Sequence, residues 1–414
     1  MSTRDVVSVD VEDPHRRGAP SSTWPGVEPG SGGSVSRRRF LHRVGLGAAT
    51  VFVVADGLLA YRAWDQGVLA EGTGPAFDAL RDWRSFDGPE AAIAAAVLAA
   101  SAHNTQPWAF AIRGERIEVY ADRSRSTGAN DPLMRELDVS LGCAIENLVL
   151  AAEAAGYATS VELDPPTQPD LVATVALERG SVVVSELYDA IDRRRSNRSD
   201  FTDDPIPDGV MASMSDLADA GTGVAWLHER SDRVAFAELL VRATRAHNED
   251  EAQSVDSFAW WRSDWDQIQD HKDGLNIDGV GLSPLVRTLG KILPGTSRSA
   301  ADETFLERTE QQADTAAAFG VVTVDDPGSL EQRLRGGRVL QRLHLWATAN
   351  DIGFQHMNQI TERIDRDRQL GHPDVFEGPL TALAGPGVLA AFRVGTPTVE
   401  SMASPRRPVS EVLR

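Results

Sequence analysis

The segment ASAHNTQPWAF, residues 100–110, concentrates hydrogen-bonding side chains between an alanine-rich run and an alternating apolar run. Such a cluster either fixes a tight turn or contacts a polar ligand, and the residue types alone leave both interpretations open. Pro107 and Trp108, which follow the cluster, are expected to turn the chain and fill the core. The candidate ligand-binding residues are Ser101, His103, Asn104 and Gln106.

Arginines concentrate in a second segment, AIDRRRSNRSDF, residues 190–201. Guanidinium groups bind phosphate through paired hydrogen bonds, and a neighbouring hydroxyl adds a further donor. The alternative is a solvent-exposed basic helix end, which the helix dipole favours. The candidate phosphate-binding residues are Arg194, Ser196 and Arg198.

A third segment, ASPRRPVSEVL at residues 403–413, places Arg406 and Arg407 between two prolines. Proline restricts the backbone and would hold both guanidinium groups in fixed positions. A charged C-terminal tail is the alternative interpretation.

Alternating helical and strand patterns, which begin at about residue 70, must position these three segments. Two apolar-alternating runs around an Arg-Gly-Glu turn predict a hairpin over residues 108–122. Apolar periodicity predicts helices at 89–100, 137–157, 185–197, 233–253 and 330–354, and further strands at 160–165, 171–179, 223–229, 316–326 and 387–395.

A weak internal repeat accompanies this pattern, because NLVLAAEAAGY (147–157) and HLWATANDIGF (344–354) align without gaps. Each segment is an apolar helix that ends in glycine and an aromatic residue, which predicts two similar α+β halves in one chain. The alternative is that any two helices with this ending look alike.

The chain has 414 residues, a formal net charge of −20 and 42% hydrophobic residues. This length allows two to three domains, and the negative charge argues against an anionic partner, such as nucleic acid or lipid head groups, for the body of the protein. All basic residues except Lys272 and Lys291 are arginine, which suits either a high-salt environment or a GC-rich genome. The single cysteine, Cys143, excludes an intrachain disulfide and is expected to be a buried structural thiol. No histidine or cysteine spacing predicts a metal site.

The N-terminal region carries a candidate export signal. Residues 1–35 lack periodicity and are predicted to be disordered, whereas the SRRRFL sequence within residues 36–63 resembles a twin-arginine signal. This resemblance implies export by the twin-arginine translocase to an extracytoplasmic location. The apolar run 44–60 is marginal for a spanning helix, and no A-x-A cleavage site follows it, so it is a candidate membrane anchor. A basic patch before a short core helix is the alternative.

Together the three segments resemble the FMN-dependent nitroreductase superfamily over roughly residues 85–414. SAHNTQPW is similar to its S-x-x-N-x-Q-P-W segment, RRSNRSDF to its R-R-S-x-R…F motif, and SPRRPV to its C-terminal basic-proline segment. In ordinary members the arginine motif comes first, and the two subunits of a dimer share each flavin. Here the order is reversed, and each half of the chain keeps one of the two motifs.

This arrangement resembles the monomeric Acg-type group of the superfamily, as do the segments ADRSR, DPLMRELDVSLG and GLNIDGVGL. The resemblance implies a monomer with an α+β, nitroreductase-like fold and mixed, mostly antiparallel sheets flanked by helices. Two degenerate halves, 70–185 and 186–414, would form a fused pseudo-dimer with one composite flavin site. The aromatic-rich stretch at about 255–300 would be a lid insertion over the flavin.

The resemblance also implies roles for the cationic residues around FMN. Arg194 and Arg406 would bind the phosphate, with Arg407 in reserve. Ser196 would bond to the phosphate or the ribityl chain. Arg198 would lie near the N1/C2 carbonyl edge of the ring, where a cation stabilises the reduced flavin.

The first segment would supply the remaining polar contacts. Ser101, Asn104 and Gln106 would hydrogen-bond to the ribityl chain and ring edges, and His103 would either join them or orient the loop. Asn358, within QHMNQ (355–359), lies where family members place backbone along a flavin face.

The expected function is electron transfer from NAD(P)H through FMN to a nitroaromatic, a quinone or a similar small-molecule acceptor. The alternative is a flavin-storage protein whose lid buries FMN with little or no turnover. A degenerate scaffold that binds nothing is disfavoured, because the two halves keep complementary motifs.

Overall fold

The computed structural model describes residues 57–166, 168, 170–293 and 295–414. The predicted disordered segment 1–35 lies outside the described residues, as does most of the twin-arginine segment 36–63. No helix among the described residues is both long and apolar enough to cross a membrane.

Eight strands are interspersed with helices along the described chain. The strands are β1 Trp108–Ile112, β2 Arg116–Ala121, β3 Tyr157–Leu163, β4 Leu171–Arg179, β5 Thr222–Leu227, β6 Ala318–Val324, β7 Gly353–His356 and β8 Val388–Gly395. The helices are α1 Gly57–Asp65, α2 Asp78–Asp82, α3 Gly88–Ala96, α4 Arg135–Ala154, α5 Glu186–Asp189, α6 Asp208–Ser215, α7 Arg230–Glu249, α8 Glu251–Ala259, α9 Trp265–His271, α10 Pro284–Ile292, α11 Arg298–Asp314, α12 Leu330–Ala349, α13 Gln359–Leu370, α14 Glu377–Ala384 and α15 Val409–Val412.

The strands form two four-stranded sheets with the same topology. One has the order β1-β2-β4-β3 and the other β5-β6-β8-β7, and all neighbouring strands are antiparallel. In each sheet a 20-residue helix, α4 or α12, connects the second strand to the third. The predicted α+β architecture, with two similar halves of antiparallel sheet flanked by helices, is confirmed.

The two halves differ in the connection between their first and second strands. A turn at residues 113–115 joins β1 to β2, whereas β5 and β6 are separated by residues 228–317, which contain five helices from α7 to α11. The predicted lid at 255–300 lies within this insertion. The second half therefore carries a large helical addition at the position of a tight hairpin in the first.

Helices α4 and α12 pack at unusually close range because glycines face each other. A Cβ atom at Gly142 would lie 2.2 Å from the carbonyl oxygen of Leu334, and one at Gly337 would lie 2.3 Å from that of Val139. Cys143 is buried beside this contact, with its Sγ atom 3.2 Å from the Gly337 carbonyl oxygen. Burial raises the pKa of the Cys143 thiol to about 12, as expected for a structural rather than a reactive cysteine.

Two of the predicted helices are wrong in extent for reasons that the backbone hydrogen bonds make clear. The helix predicted over 185–197 ends at Asp189, and downstream the Asn197 amide donates to the carbonyl of Phe354 in β7. The helix predicted over 233–253 breaks at Asp250, whose carboxylate accepts from the amides of Ala252 and Gln253 and caps α8.

The helix predicted over 330–354 is also too long, since α12 ends at Ala349 and residues 353–356 form β7. By contrast, the hairpin predicted over 108–122 is confirmed as β1 and β2. Apolar periodicity thus predicted where the helices and strands lie. Their ends are set by chain reversals and capping residues, which periodicity does not show.

Candidate functional site

The loop from Ser101 to Gln106 adopts a backbone that non-glycine residues rarely use. His103, Asn104 and Gln106 have φ values of +47°, +57° and +53°, in the left-handed region that costs free energy for most residues. The Ser140 hydroxyl on α4 accepts from the Ala102 amide at 3.0 Å, and the Ser101 hydroxyl accepts from the Gln106 amide at 3.1 Å. These bonds fix the strained loop above α4.

Asn104 joins three distant segments of the chain at this loop. Its Nδ2 atom donates to the carbonyl oxygens of Pro405 at 3.0 Å and Gly274 at 3.3 Å. Its Oδ1 atom accepts a hydrogen bond from Nη1 of Arg406. The Asn104 side chain thus holds the first and third candidate segments and the lid insertion together.

Arg194 and Arg406 are almost fully buried beside this loop, with 4% and 6% of their surfaces exposed. Arg194 Nη2 donates to the Leu98 carbonyl at 3.1 Å, and Arg406 Nη2 donates to the Ala99 carbonyl at 3.4 Å. Both carbonyls lie just beyond the C-terminal end of α3, where a helix dipole favours cations. No carboxylate within the described residues forms an ion pair with either guanidinium, and Nε of Arg194 is buried without a hydrogen-bond partner.

The electrostatics of the cluster favour an anion. Burial, with Arg195 and Arg198 nearby, lowers the pKa of Arg194 to about 9. Burial, and the positive charges of the nearby Arg194 and Arg195, lower the pKa of Arg406 well below its usual value. Each cation therefore destabilises the others in this cluster, and a bound anion would relieve that repulsion.

Residues of all three candidate segments line one pocket. Six of the sequence-predicted residues contribute to its wall, namely Ser101, Asn104, Arg194, Ser196, Arg198 and Arg406. The rest of the wall is formed by Leu80, Leu98, Ala100, Arg195, Leu275 and Ser404. Two segments about ninety residues apart and a third segment near the C-terminus thus form a single cationic site.

Gln106 and Arg407 lie outside this pocket wall and hold together the segments that form it. The Gln106 side chain donates to the Lys272 carbonyl at 2.8 Å and accepts from the Arg407 amide at 2.8 Å. The Arg407 guanidinium donates to the Glu411 carbonyl at 2.7 Å. These contacts fix the C-terminal segment and the lid against the loop.

His103 and Asn358 also lie outside the pocket wall. His103 Nε2 lies 3.1 Å from the Ser257 hydroxyl on α8, and burial lowers its pKa to about 4, so the ring is neutral at pH 7. Asn358 Nδ2 donates to Glu136 at 2.8 Å, and its Oδ1 accepts from the Ala391 amide at 2.8 Å.

Two histidines behind the arginines were not identified from the sequence. His344 Nε2 lies 3.0 Å from the Arg195 carbonyl, and His356 Nε2 lies 3.3 Å from His344 Nδ1. Burial and the nearby Arg194 lower the pKa of His356 to about 3, so the pair adds no positive charge at neutral pH. The packing of α12 against β7 brings His344 and His356 together, and their spacing in the sequence carried no signal.

The lid insertion contacts the site directly. Arg198 Nη1 donates to the Gly279 carbonyl at 2.9 Å. A Cβ atom at Gly281, where φ is +74°, would lie 2.2 Å from the Arg198 carbonyl oxygen, so only glycine permits this approach. The lid backbone therefore lies against the same arginine that lines the pocket.

Comparison with known proteins gives relatives of one kind. No family model matches the chain. The protein named "Putative NAD(P)H nitroreductase acg" from Mycobacterium tuberculosis is 26% identical over 341 residues, which cover 78% of this chain and 94% of the relative. Another protein of that organism with the same kind of name is 29% identical over 171 residues, 40% of this chain and 48% of the relative. In that second case the matched region spans about half of the relative's length.

Among solved structures, the FMN-dependent nitroreductase NfnB of Mycobacterium smegmatis in complex with NADPH is similar at 15% identity. The match covers 55% of this chain and 97% of that protein, with a TM-score of 0.34. A nitroreductase from Desulfovibrio desulfuricans in complex with FMN matches at 15% identity and a TM-score of 0.31, covering 56% of this chain. The curated relatives support the resemblance to the nitroreductase superfamily.

Proposed function

We propose that this chain is an FMN-dependent NAD(P)H oxidoreductase of the nitroreductase superfamily. The observation that carries the proposal is the cluster of Arg194, Arg198 and Arg406 around one pocket in a chain of net charge −20. Buried cations without carboxylate partners are costly unless an anion binds to them. A phosphate monoester such as that of FMN supplies the required charge and geometry.

The residues present fit the phosphate end of FMN. Nε of Arg194 has no hydrogen-bond partner among the described residues, and Arg194 and Arg406 reach the pocket from different segments, so both would hold the phosphate. The Ser196 hydroxyl at the wall offers a further hydrogen bond, and Arg198 adds positive charge on the lid side. When bound, FMN supplies hydride and single-electron transfer, while these residues bind it and exclude water.

The names of the curated relatives support NAD(P)H as the electron donor in this proposal. The acceptor that we propose is a nitroaromatic, a quinone or a similar small molecule. We also propose, from the SRRRFL motif, export by the twin-arginine translocase and an extracytoplasmic location with residues 44–60 as a membrane anchor. The resemblance to the fused Acg-type group supports a monomeric state.

Flavin storage is a second candidate, and the lid contacts favour it. The carbonyls of Lys272, Gly274 and Gly279 each accept a hydrogen bond from a residue of the site. A lid fixed by three such bonds would slow the entry of a second substrate.

The test is to purify the full chain, measure FMN binding and compare Arg194→Ala with Arg193→Ala, which alters an exposed neighbour. We expect Arg194→Ala to weaken FMN binding roughly tenfold or more, since a charge-assisted contact is lost, and Arg193→Ala to leave it unchanged. Equal affinities for the two variants would refute the site. Anaerobic addition of NADH or NADPH then separates the candidates, because bleaching of the bound flavin supports the oxidoreductase and its absence supports storage.

A further inference from the structure

Helix α10 of the lid insertion has the reverse of the usual surface-helix orientation. Its two cationic residues, Arg287 and Lys291, lie one turn apart and are buried, each 7% exposed. On the opposite side Leu285 is 61% exposed, and Leu289 and Ile292 are partly exposed. A helix on the surface of a globular protein normally presents its polar side to water.

Four charged groups fix this orientation. The carboxylate of Glu71 accepts from Arg287 at 2.7 Å and from Lys291 at 3.1 Å. The Asp278 carboxylate lies 2.8 Å from Lys291 Nζ and 3.3 Å from Arg287 Nε. Rotation of the helix to bury its leucines would leave buried charges unpaired, which is strongly unfavourable. The outward apolar side is therefore built into the fold.

The neighbouring helix extends the apolar side. Helix α1 packs against α10 and exposes Tyr61 and Trp64 by 58% and 72%, and Leu69 just beyond it is 90% exposed. We call Tyr61, Trp64, Leu69 and Leu285 the apolar docking surface. Exposed apolar residues grouped on adjacent elements mark a surface that contacts a partner.

We propose that the apolar docking surface inserts into the interfacial layer of a lipid bilayer. The apolar run 44–60, proposed above as a membrane anchor, ends immediately before Tyr61, so its insertion would bring a bilayer to the part of the chain that carries Tyr61 and Trp64. This step rests on the proposed anchor. Tyrosine and tryptophan are the residues that favour the membrane–water interface. With a net charge of −20, attraction to anionic head groups does not drive the contact, so the insertion is apolar.

This surface and the candidate site belong to one segment of the chain. Asp278, which pairs with Lys291 of α10, directly precedes Gly279, whose carbonyl accepts from Arg198. Contact with a bilayer through α10 would place the lid, and the pocket wall beneath it, at the membrane surface. The inference concerns the docking of the lid and holds whether or not the pocket takes FMN.

The experiment places an environment-sensitive fluorophore at position 285 of the full chain through Leu285→Cys. The native thiol of Cys143 is 1% exposed and does not compete for the label. A matched control carries the label at Val183→Cys, where an apolar side chain is 54% exposed between β4 and α5. On addition of phosphatidylcholine vesicles we expect a blue shift at position 285, with quenching by brominated acyl chains, and no change at position 183.

Three results would overturn the proposal. A label at position 285 that is already blue-shifted without vesicles, and that vesicles do not change, would mean that another part of this chain covers the surface. A blue shift that grows with protein concentration alone would identify a second copy as the occupant. An unchanged, water-like emission in the presence of vesicles would show that the surface does not insert. None of these readings depends on flavin binding, so they are independent of the test of the proposed function.

Discussion

Arg406 donates a hydrogen bond to Oδ1 of Asn104, a residue 302 positions earlier in the sequence. Asn104 is held in the left-handed region of the backbone, and its amide nitrogen donates to the carbonyls of Gly274 and Pro405. The contacts of Asn104 therefore hold Arg406, the loop from Ser101 to Gln106 and the lid insertion in fixed relative positions. The site depends on an asparagine, which has both a donor and an acceptor, and not merely on a polar residue.

Asn104→Asp is expected to weaken FMN binding roughly tenfold or more, because the new carboxylate neutralises Arg406 and repels a phosphate. Aspartate tolerates the left-handed backbone as asparagine does, but it cannot donate to the carbonyls of Gly274 and Pro405, so the lid and the C-terminal segment are also held less firmly. The measurement is a fluorescence titration with FMN, with Asn350→Asp, at an exposed helix end, as the control. Unchanged affinity in Asn104→Asp would mean that Asn104 and Arg406 do not contact the ligand.

Gly142→Ala is expected to destabilise the protein by about 1–3 kcal/mol, because a Cβ atom would lie 2.2 Å from a backbone oxygen of the facing helix α12. Gly209→Ala on α6 is the control, since nothing lies within 4 Å of its Cβ position and alanine favours helix by about 0.5–1 kcal/mol. Urea unfolding gives both free energies. A Gly142→Ala variant as stable as the parent would show that α4 and α12 are not held at this distance.

The architecture was largely predictable because its signals are local. The alternating runs of 108–122 and the apolar helix around Cys143 appear in the structure near their predicted positions. The identical order of the two sheets was suggested only by a weak repeat, since strand order depends on long-range pairing that no local pattern encodes. The overlong helix at 185–197 shows the same limit, because the backbone of Asn197 pairs with Phe354 instead of continuing the helix.

Six of the ten candidate residues meet at the pocket, because motif recognition identifies residue types that bind phosphate. It does not distinguish a residue at the pocket from one that supports it. Gln106 and Arg407 resembled ligand-binding residues, but they bond to each other, and Gln106 also donates to the Lys272 carbonyl of the lid. His344 and His356 were missed because only the approach of α12 and β7 gives them a common position.

The stability of the protein is expected to fall as pH rises from about 4.5 to about 8 through the titration of Glu136. Burial, together with Asp131, raises the pKa of Glu136 from 4.5 to about 8, while Asn358 donates to it. The folded state thus keeps a proton that the unfolded state releases in this window, which lowers the free energy of unfolding by up to ~1.4 kcal/mol per pH unit.

Glu136→Gln keeps an acceptor for Asn358 and removes the charge, so it should flatten this pH dependence and be more stable than the parent at pH 8. Urea unfolding at several pH values measures the effect, and Glu90→Gln at an exposed position of α3 is the control. An unchanged slope in Glu136→Gln would assign the pH dependence to other groups. The first such group to test is the half-buried Glu362. Burial and the nearby Glu136 raise the pKa of Glu362 well above its usual value.

Arg194→Met is expected to leave the ligand-free protein at least as stable as the parent, and up to about 1–4 kcal/mol more stable, although it removes a buried side chain. The guanidinium is nearly fully buried without an ion pair and is repelled by Arg195 and Arg198. When no anion is bound, burying an apolar side chain of similar length therefore costs less free energy than burying this cation. Inorganic phosphate should raise the melting temperature of the parent, since a ligand that binds only the folded state stabilises it. It should have a much smaller effect on Arg194→Met, while Arg193→Met should respond as the parent does. If Arg194→Met melts well below the parent and phosphate raises both equally, Arg194 is a structural residue and the anion binds elsewhere.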